Sequence, residues 1–134
     1  MKQDDLGSQL RQSIWKELSH LGKLARVAQA RTDMIRASSY ERRKVCGKTG
    51  CRCRQGRLHR EMVVAVRVGR SERLVSSRGR NRGRLLELAS NWRHFRGARS
   101  GMVRTFRRLI EAFDQLGQHR QISPSRLGIG EERR

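Results

Sequence analysis

Acidic residues are scarce in this chain: 12 Asp and Glu stand against 32 Lys and Arg, a formal net charge of +20 over 134 residues. Self-repulsion of that size opposes a compact state unless a polyanion neutralises it, which points to nucleic acid as partner. Apolar groups are also few. Only 35% of residues are hydrophobic and 4% aromatic, which excludes a large core and leaves a metal or a partner to supplement stability. No run of 18 apolar residues exists, so no membrane span is expected. A basic membrane-surface protein would need a helix with exposed bulky apolar groups, and the helices below use theirs in seams. The start, MKQDDLGSQL, has early acids and no apolar core, and is not read as a secretory signal. Three cysteines, an odd number, do not make a disulfide framework, and a cytoplasmic location is expected. Neither a Gly-rich phosphate loop nor a carboxylate cluster of the two-metal nuclease kind is present, so an enzyme is not expected.

What is present is arginine, 27 residues of it against five lysines. Arginine offers a planar fork of donors to phosphate and stacks on bases. GC-rich coding would give the same ratio, but not the excess over acids. The charge is concentrated. Residues 35–80 carry 14 basic and three acidic groups, and all three cysteines lie there.

Periodicity divides the chain into four parts. Residues 1–36 read as a helix, with Ile14, Leu18, Leu21, Ala25, Ala28, Thr32 and Ile35 spaced 4-3-4-3-4-3 along one face. Residues 37–80 form a basic loop and hairpin element. Its β-branched runs at about 61–68 and 72–77 flank Gly69-Arg70, the signature of a β-hairpin. A hairpin is not stable alone, so it must pack on the loop or the helices. Residues 81–118 read as a second helix. Leu85, Leu88, Trp92, Phe95, Arg99, Met102, Phe106, Leu109, Phe113 and Leu116 run at 3-4 spacing, which predicts that Trp92, Phe106 and Phe113 are buried. Gly97 and Gly101 predict a kink or break within 97–101. Residues 119–134 have no period and read as a flexible tail.

Within the basic segment, KVCGKTGCRCRQGRLH (residues 44–59) holds every cysteine, one of four histidines and five Lys or Arg. Cys46, Cys51, Cys53 and His59 follow the pattern C-x4-C-x-C-x5-H. Three thiolates and one imidazole suit a structural Zn2+ site. Gly47, Gly50 and Gly56 supply the permissive backbone that a tight wrap needs, and the basic neighbours favour thiolate over thiol. Water, His94 or His119 are alternatives to His59 as fourth ligand. Two readings compete with the metal: three reduced, unliganded cysteines, or a redox sensor with low-pKa thiols.

The stretch IRASSYERRKVCGKTGCRCRQGRLH, followed by two strands and a long helix, resembles a family of small bacterial proteins of unknown function. They are often encoded near transposases and other mobile elements. Members read G-S-x-x-x-R-x-x-x-C-G-K-x-x-C-x-C-x-x-G-x-x-H-G-P. The resemblance covers residues 35–116, and its core is Cys46, Gly47, Lys48, Cys51, Cys53, Gly56 and His59. Two departures stand out. Arg60 and Glu61 replace the family's Gly-Pro, and residues 63–66 replace a Tyr-rich strand. The resemblance implies an accessory subunit of a mobile-element or RNA-guided ribonucleoprotein.

These readings combine into an α+β module: two long helices, pairing antiparallel, flank a zinc-stabilised loop and a short β-hairpin. The same seams can pair between chains instead, as a homodimer. The expected function is non-catalytic binding of nucleic acid, RNA over DNA, since no helix-turn-helix signature appears and Arg-rich surfaces suit RNA shape. Phosphate contacts are expected from Lys44, Lys48, Arg52, Arg54, Arg57 and Arg60 around the cysteines. The hairpin and its exit add Arg67, Arg70, Arg73, Arg78 and Arg80, and the second helix adds Arg93, Arg104, Arg107 and Arg108. The competing reading is an adaptor whose helical seams bind a transposase or nuclease.

Overall fold

A computed structural model of the chain describes residues 2–76 and 79–130. The element order is α1 (Lys2–Ala28), β1 (Ala37–Lys44), β2 (His59–Val68), β3 (Ser71–Ser76) and α2 (Arg82–Arg120), with short 3-10 turns at Arg52–Gln55 and Pro124–Leu127. The class is α+β, as the periodicities imply. The chain divides into two compact units, one of Met1–Arg26 with Arg99–Arg134, the other Val27–Ala98.

The second unit is built on a three-stranded antiparallel sheet in the order β1-β2-β3. The expected hairpin is β2 and β3. It turns at Gly69, whose φ of 62° lies in the left-handed region that glycine enters at no steric cost, and Ser71 Oγ donates to the Val68 carbonyl at 3.1 Å. The strand β1 was not expected. Its sequence, ASSYERRK, has no apolar alternation, yet it pairs with β2 from Ala37↔Val66 to Lys44↔His59. Val64 and Val66 of β2, with Ala37, pack against Ala89 of α2, and Ile35, Leu85 and Leu86 close around them. Val64 is fully buried. The first helix therefore ends at Ala28 rather than near residue 36. Thr32 and Ile35, though in phase with the helical seam, lead into β1, and the Ile35 amide donates to the Leu88 carbonyl at 3.2 Å.

In the first unit, residues of α1 and the C-terminal half of α2 lie antiparallel. Gly7 abuts His119, Glu17 meets Arg108, and Leu24 abuts Gly101. Ile14, Leu109, Ala112 and Leu116 form the core, flanked by Leu10 and Leu18. The α1 seam is the one expected. The α2 seam is not.

The buried residues of α2 in this unit are Gly101, Thr105, Leu109, Ala112 and Leu116, whereas Phe106 is 54% exposed and Phe113 47%. Trp92, in the other unit, is half-buried. The physical reason is size. A Cβ at Gly101 would stand 3.1 Å from Leu24 Cδ1, so small residues on this face let the two backbones approach closely. Gly101 thus serves packing, and α2 runs through Gly97 and Gly101 without a break.

The segment expected to be an aperiodic tail begins inside α2, which ends at Arg120, and contains the turn Pro124–Leu127. Residues 131–134 lie outside those described. No helix among the described residues is long and apolar enough to cross a membrane.

This packing reverses the expectation for two aromatic positions. Leu109→Ala should cost ~2–5 kcal/mol, the range for a core leucine. Phe106→Ala should stay within about 1 kcal/mol, as surface substitutions do. Urea unfolding of the two variants checks the order, and a larger loss for Phe106→Ala would contradict the packing described.

Candidate metal centre

Strand pairing creates the site. Because Lys44 lies opposite His59, the chain leaves β1 and re-enters β2 at neighbouring points, and residues 45–58 are closed into a loop. Cys46 stands two residues past Lys44, and His59 opens β2. Within the loop, Gly50 (φ 82°) turns the chain into Cys51, and the 3-10 turn Arg52–Gln55 ends at Gly56 (φ 100°). That turn is held by the Arg54 amide donating to the Cys51 carbonyl at 3.2 Å. It also carries Cys53 inward, where it is 1% exposed.

The result is a cluster of four ligand atoms. One from each of Cys46, Cys51, Cys53 and His59 lies within 4.8 Å of all the others. Cys46 Sγ and Cys53 Sγ are 3.5 Å apart, and Cys51 Sγ is 3.2 Å from His59 Nε2. A tetrahedral centre with Zn–S of about 2.3 Å and Zn–N of about 2.0–2.1 Å has ligand–ligand edges of roughly 3.5–3.8 Å. The cluster fits an ion with small adjustments, and its donor set of three sulfurs and one imidazole suits a soft or borderline divalent metal. The alternatives to His59 lie elsewhere: His94 on an exposed part of α2, and His119 against Gly7.

The local field prepares one thiol for ligation. A hydrogen bond from the Cys53 backbone amide, and then the His59 imidazole, hold the Cys51 thiol down to about 6. Burial pushes the Cys53 thiol up. A cation between them would offset that burial, since thiolate is the ligating form. The amide of Cys46 also donates to Cys53 Sγ at 3.4 Å, a backbone contact that stabilises charge on sulfur.

The basic residues separate into two groups. Lys48, Arg52, Arg54 and Arg57 are exposed around the cluster, and Arg52 and Arg57 with Gln55 line a shallow cleft of about 240 Å³. Arg70, Arg73, Arg80, Arg93, Arg104 and Arg107 are exposed too. Others are engaged. Lys44 Nζ lies 2.8 Å from Glu61, Arg60 pairs with Glu41 at 3.6 Å, and Arg108 with Glu17 at 3.2 Å. Arg67 Nε donates to the Gly69 carbonyl at 3.2 Å. Arg78 lies outside the described residues.

Spacing along the chain gives Glu61 no partner, and its role is visible only in the structure. Its carboxylate is buried and accepts from Arg42 Nε at 3.1 Å and Ser76 Oγ at 2.8 Å, besides Lys44. Those partners come from β1 and β3, so Glu61 ties all three strands together beside the cluster. The signal was present only in register: Arg42 and Lys44 alternate on a strand that apolar patterning could not reveal. Lys44, then Ser76 and Arg42, hold the Glu61 carboxyl down at about 2 from the ordinary 4.5.

Comparison of the chain with protein-family models, with curated proteins and with solved structures gave no significant match.

The Glu61 network fixes a pH dependence. A carboxyl whose folded pKa is depressed adds stability above its unfolded value and loses that contribution as pH falls towards the folded value. Glu61→Gln should therefore lower Tm at neutral pH, and its gap from wild type should close as pH drops from 4.5 to about 2. Thermal unfolding of both chains across that window checks this, and a constant gap would contradict it.

Proposed function

We propose that this chain is a non-catalytic, zinc-containing nucleic-acid-binding protein, with Cys46, Cys51, Cys53 and His59 holding one Zn2+. The observation that carries the reading is the placement of Lys48, Arg52, Arg54 and Arg57, all exposed around that cluster. A closed four-ligand zinc leaves no open position for chemistry, so its role is to hold the loop in shape. Three thiolates and a dication sum to one negative charge, which leaves the surrounding surface cationic. Arg-rich surfaces follow the shape and phosphates of folded RNA, and RNA is favoured over DNA on that ground. The resemblance of residues 35–116 to proteins encoded beside mobile elements supports an accessory role in such a ribonucleoprotein, in the cytoplasm.

One observation favours a second reading. Val103, Phe106, Ile110 and Phe113 are all exposed by 42–54%, and their 3-4-3 spacing puts them on one face of α2. Such a stripe suits a protein partner of transposase or nuclease type, or a second copy of the chain.

Native mass spectrometry of protein purified without chelator should find one zinc per chain. Affinity for RNA should fall steeply with salt, and Arg52→Ala, Arg54→Ala and Arg57→Ala combined should reduce the log–log slope by ~2–3 while keeping zinc. Cys51→Ser should lose metal and RNA binding together. Affinity that stays flat in salt would favour the protein-partner reading.

A further inference from the structure

Resting on the nucleic-acid reading, we propose that a cleft at the sheet's hairpin end binds one unpaired nucleotide of a single strand. The cleft has a volume of about 170 Å³ and is lined by Arg36, Arg67, Arg96, Trp92, Ser38 and Glu72, floored by Ala37 and Ala65. It lies entirely within the unit Val27–Ala98.

Two features point to a ligand. The first is an excess of positive charge, three arginines against the single acid Glu72. Arg36, the residue before β1, lies beside Arg67 of β2, and the Arg67 amide donates to the Arg36 carbonyl at 2.9 Å. Like charges held side by side repel each other. Among the described residues an acid pairs with Arg42, Lys44, Arg60, Arg84 and Arg108, while the exposed arginines of the cysteine loop have no such pair. Arg36, Arg67 and Arg96 have none either. Glu72 lies opposite Arg67 in β3 and lines the cleft without forming an ion pair to it. A phosphate between Arg36 and Arg67 would remove the repulsion by accepting from both.

The second feature is aromatic. The Arg96 guanidinium lies 5.9 Å from the Trp92 ring centroid, and Trp92 stacks on Phe95 at 5.8 Å. An indole and a guanidinium plane beside a phosphate site are the elements that hold an unstacked base without regard to its identity. The cleft is too small to admit a duplex, and the bases of a duplex are not free to stack on a side chain. The ligand is therefore a single-stranded segment.

The test uses the full chain carrying Trp15→Phe, a change at a position 72% exposed, so that Trp92 becomes the sole tryptophan. Oligo(U) and a blunt RNA duplex of equal length are titrated at low salt, with fluorescence anisotropy of labelled RNA reporting binding and Trp92 emission reporting stacking. Oligo(U) should quench Trp92 in step with binding, while the duplex should bind without quenching. Arg36→Gln with Arg67→Gln should reduce oligo(U) affinity about tenfold or more, with duplex affinity nearly unchanged. Arg67 also donates to the Gly69 carbonyl, so thermal unfolding checks that the double variant is folded at the temperature of the titration. Trp92→Leu should reduce oligo(U) affinity roughly five- to a hundredfold. Binding of oligo(U) with unchanged Trp92 emission and an unaffected arginine double variant would overturn the cleft, yet leave nucleic-acid binding by the cysteine loop standing. Failure of both RNAs to bind would overturn both.

Discussion

The pairing of Lys44 with His59 is the constraint on which the candidate site depends. It fixes both ends of the loop that holds the cysteines, so that Cys46 and His59 are neighbours before any ligand contributes. Ordering the remaining backbone costs conformational entropy, which a loop this poor in apolar contacts cannot recover by burial. Gly50 and Gly56 allow the two sharp turns, and Cys53 is the one loop residue buried. Four ligand atoms within 4.8 Å of one another then give the loop a reason to stay closed, since a shared ion would supply the stability that packing does not.

Charge is arranged with the same economy. A chain of net charge +20 must keep its repulsion from opening the fold. Glu61 is placed where it neutralises two cations and bridges all three strands. Glu17 does the corresponding work between the helices, on Arg108. The acids are too few to do this everywhere, and the cations left over are exposed around the cysteine loop, along the hairpin and on α2. A long-range attraction for polyanions follows from that surplus alone, and the positions of the surplus cations decide what shape of polyanion fits.

The cysteine cluster was legible because metal-ligand chemistry is written in residue type and spacing, and Cys46, Cys51, Cys53 and His59 do come together. The hairpin turn was legible for a similar reason, since Gly69 has few other uses between two β-branched runs. The strand β1 was not, because its stability comes from Arg42 and Lys44 reaching Glu61, a long-range contact with no local pattern. The buried face of α2 was misjudged for a different reason. Two stripes run along that helix about a third of a turn apart: a bulky one through Phe106 and Phe113, and a small one through Gly101, Thr105 and Ala112. Periodicity weights the bulky stripe, whereas close helix approach selects the small one. Helix α1 stopped short of its apparent period because Ile35 packs with the sheet core beside Leu85 and Leu86, and tertiary packing overrides a weak local preference.

The central claim is that one metal ion joins Cys46, Cys51, Cys53 and His59. X-ray absorption at the zinc K-edge of the purified chain reads that coordination directly. The account predicts a first shell of three sulfurs at about 2.3 Å and one nitrogen at about 2.0–2.1 Å. A shell made only of nitrogen and oxygen, or one with fewer than three sulfurs, would contradict it.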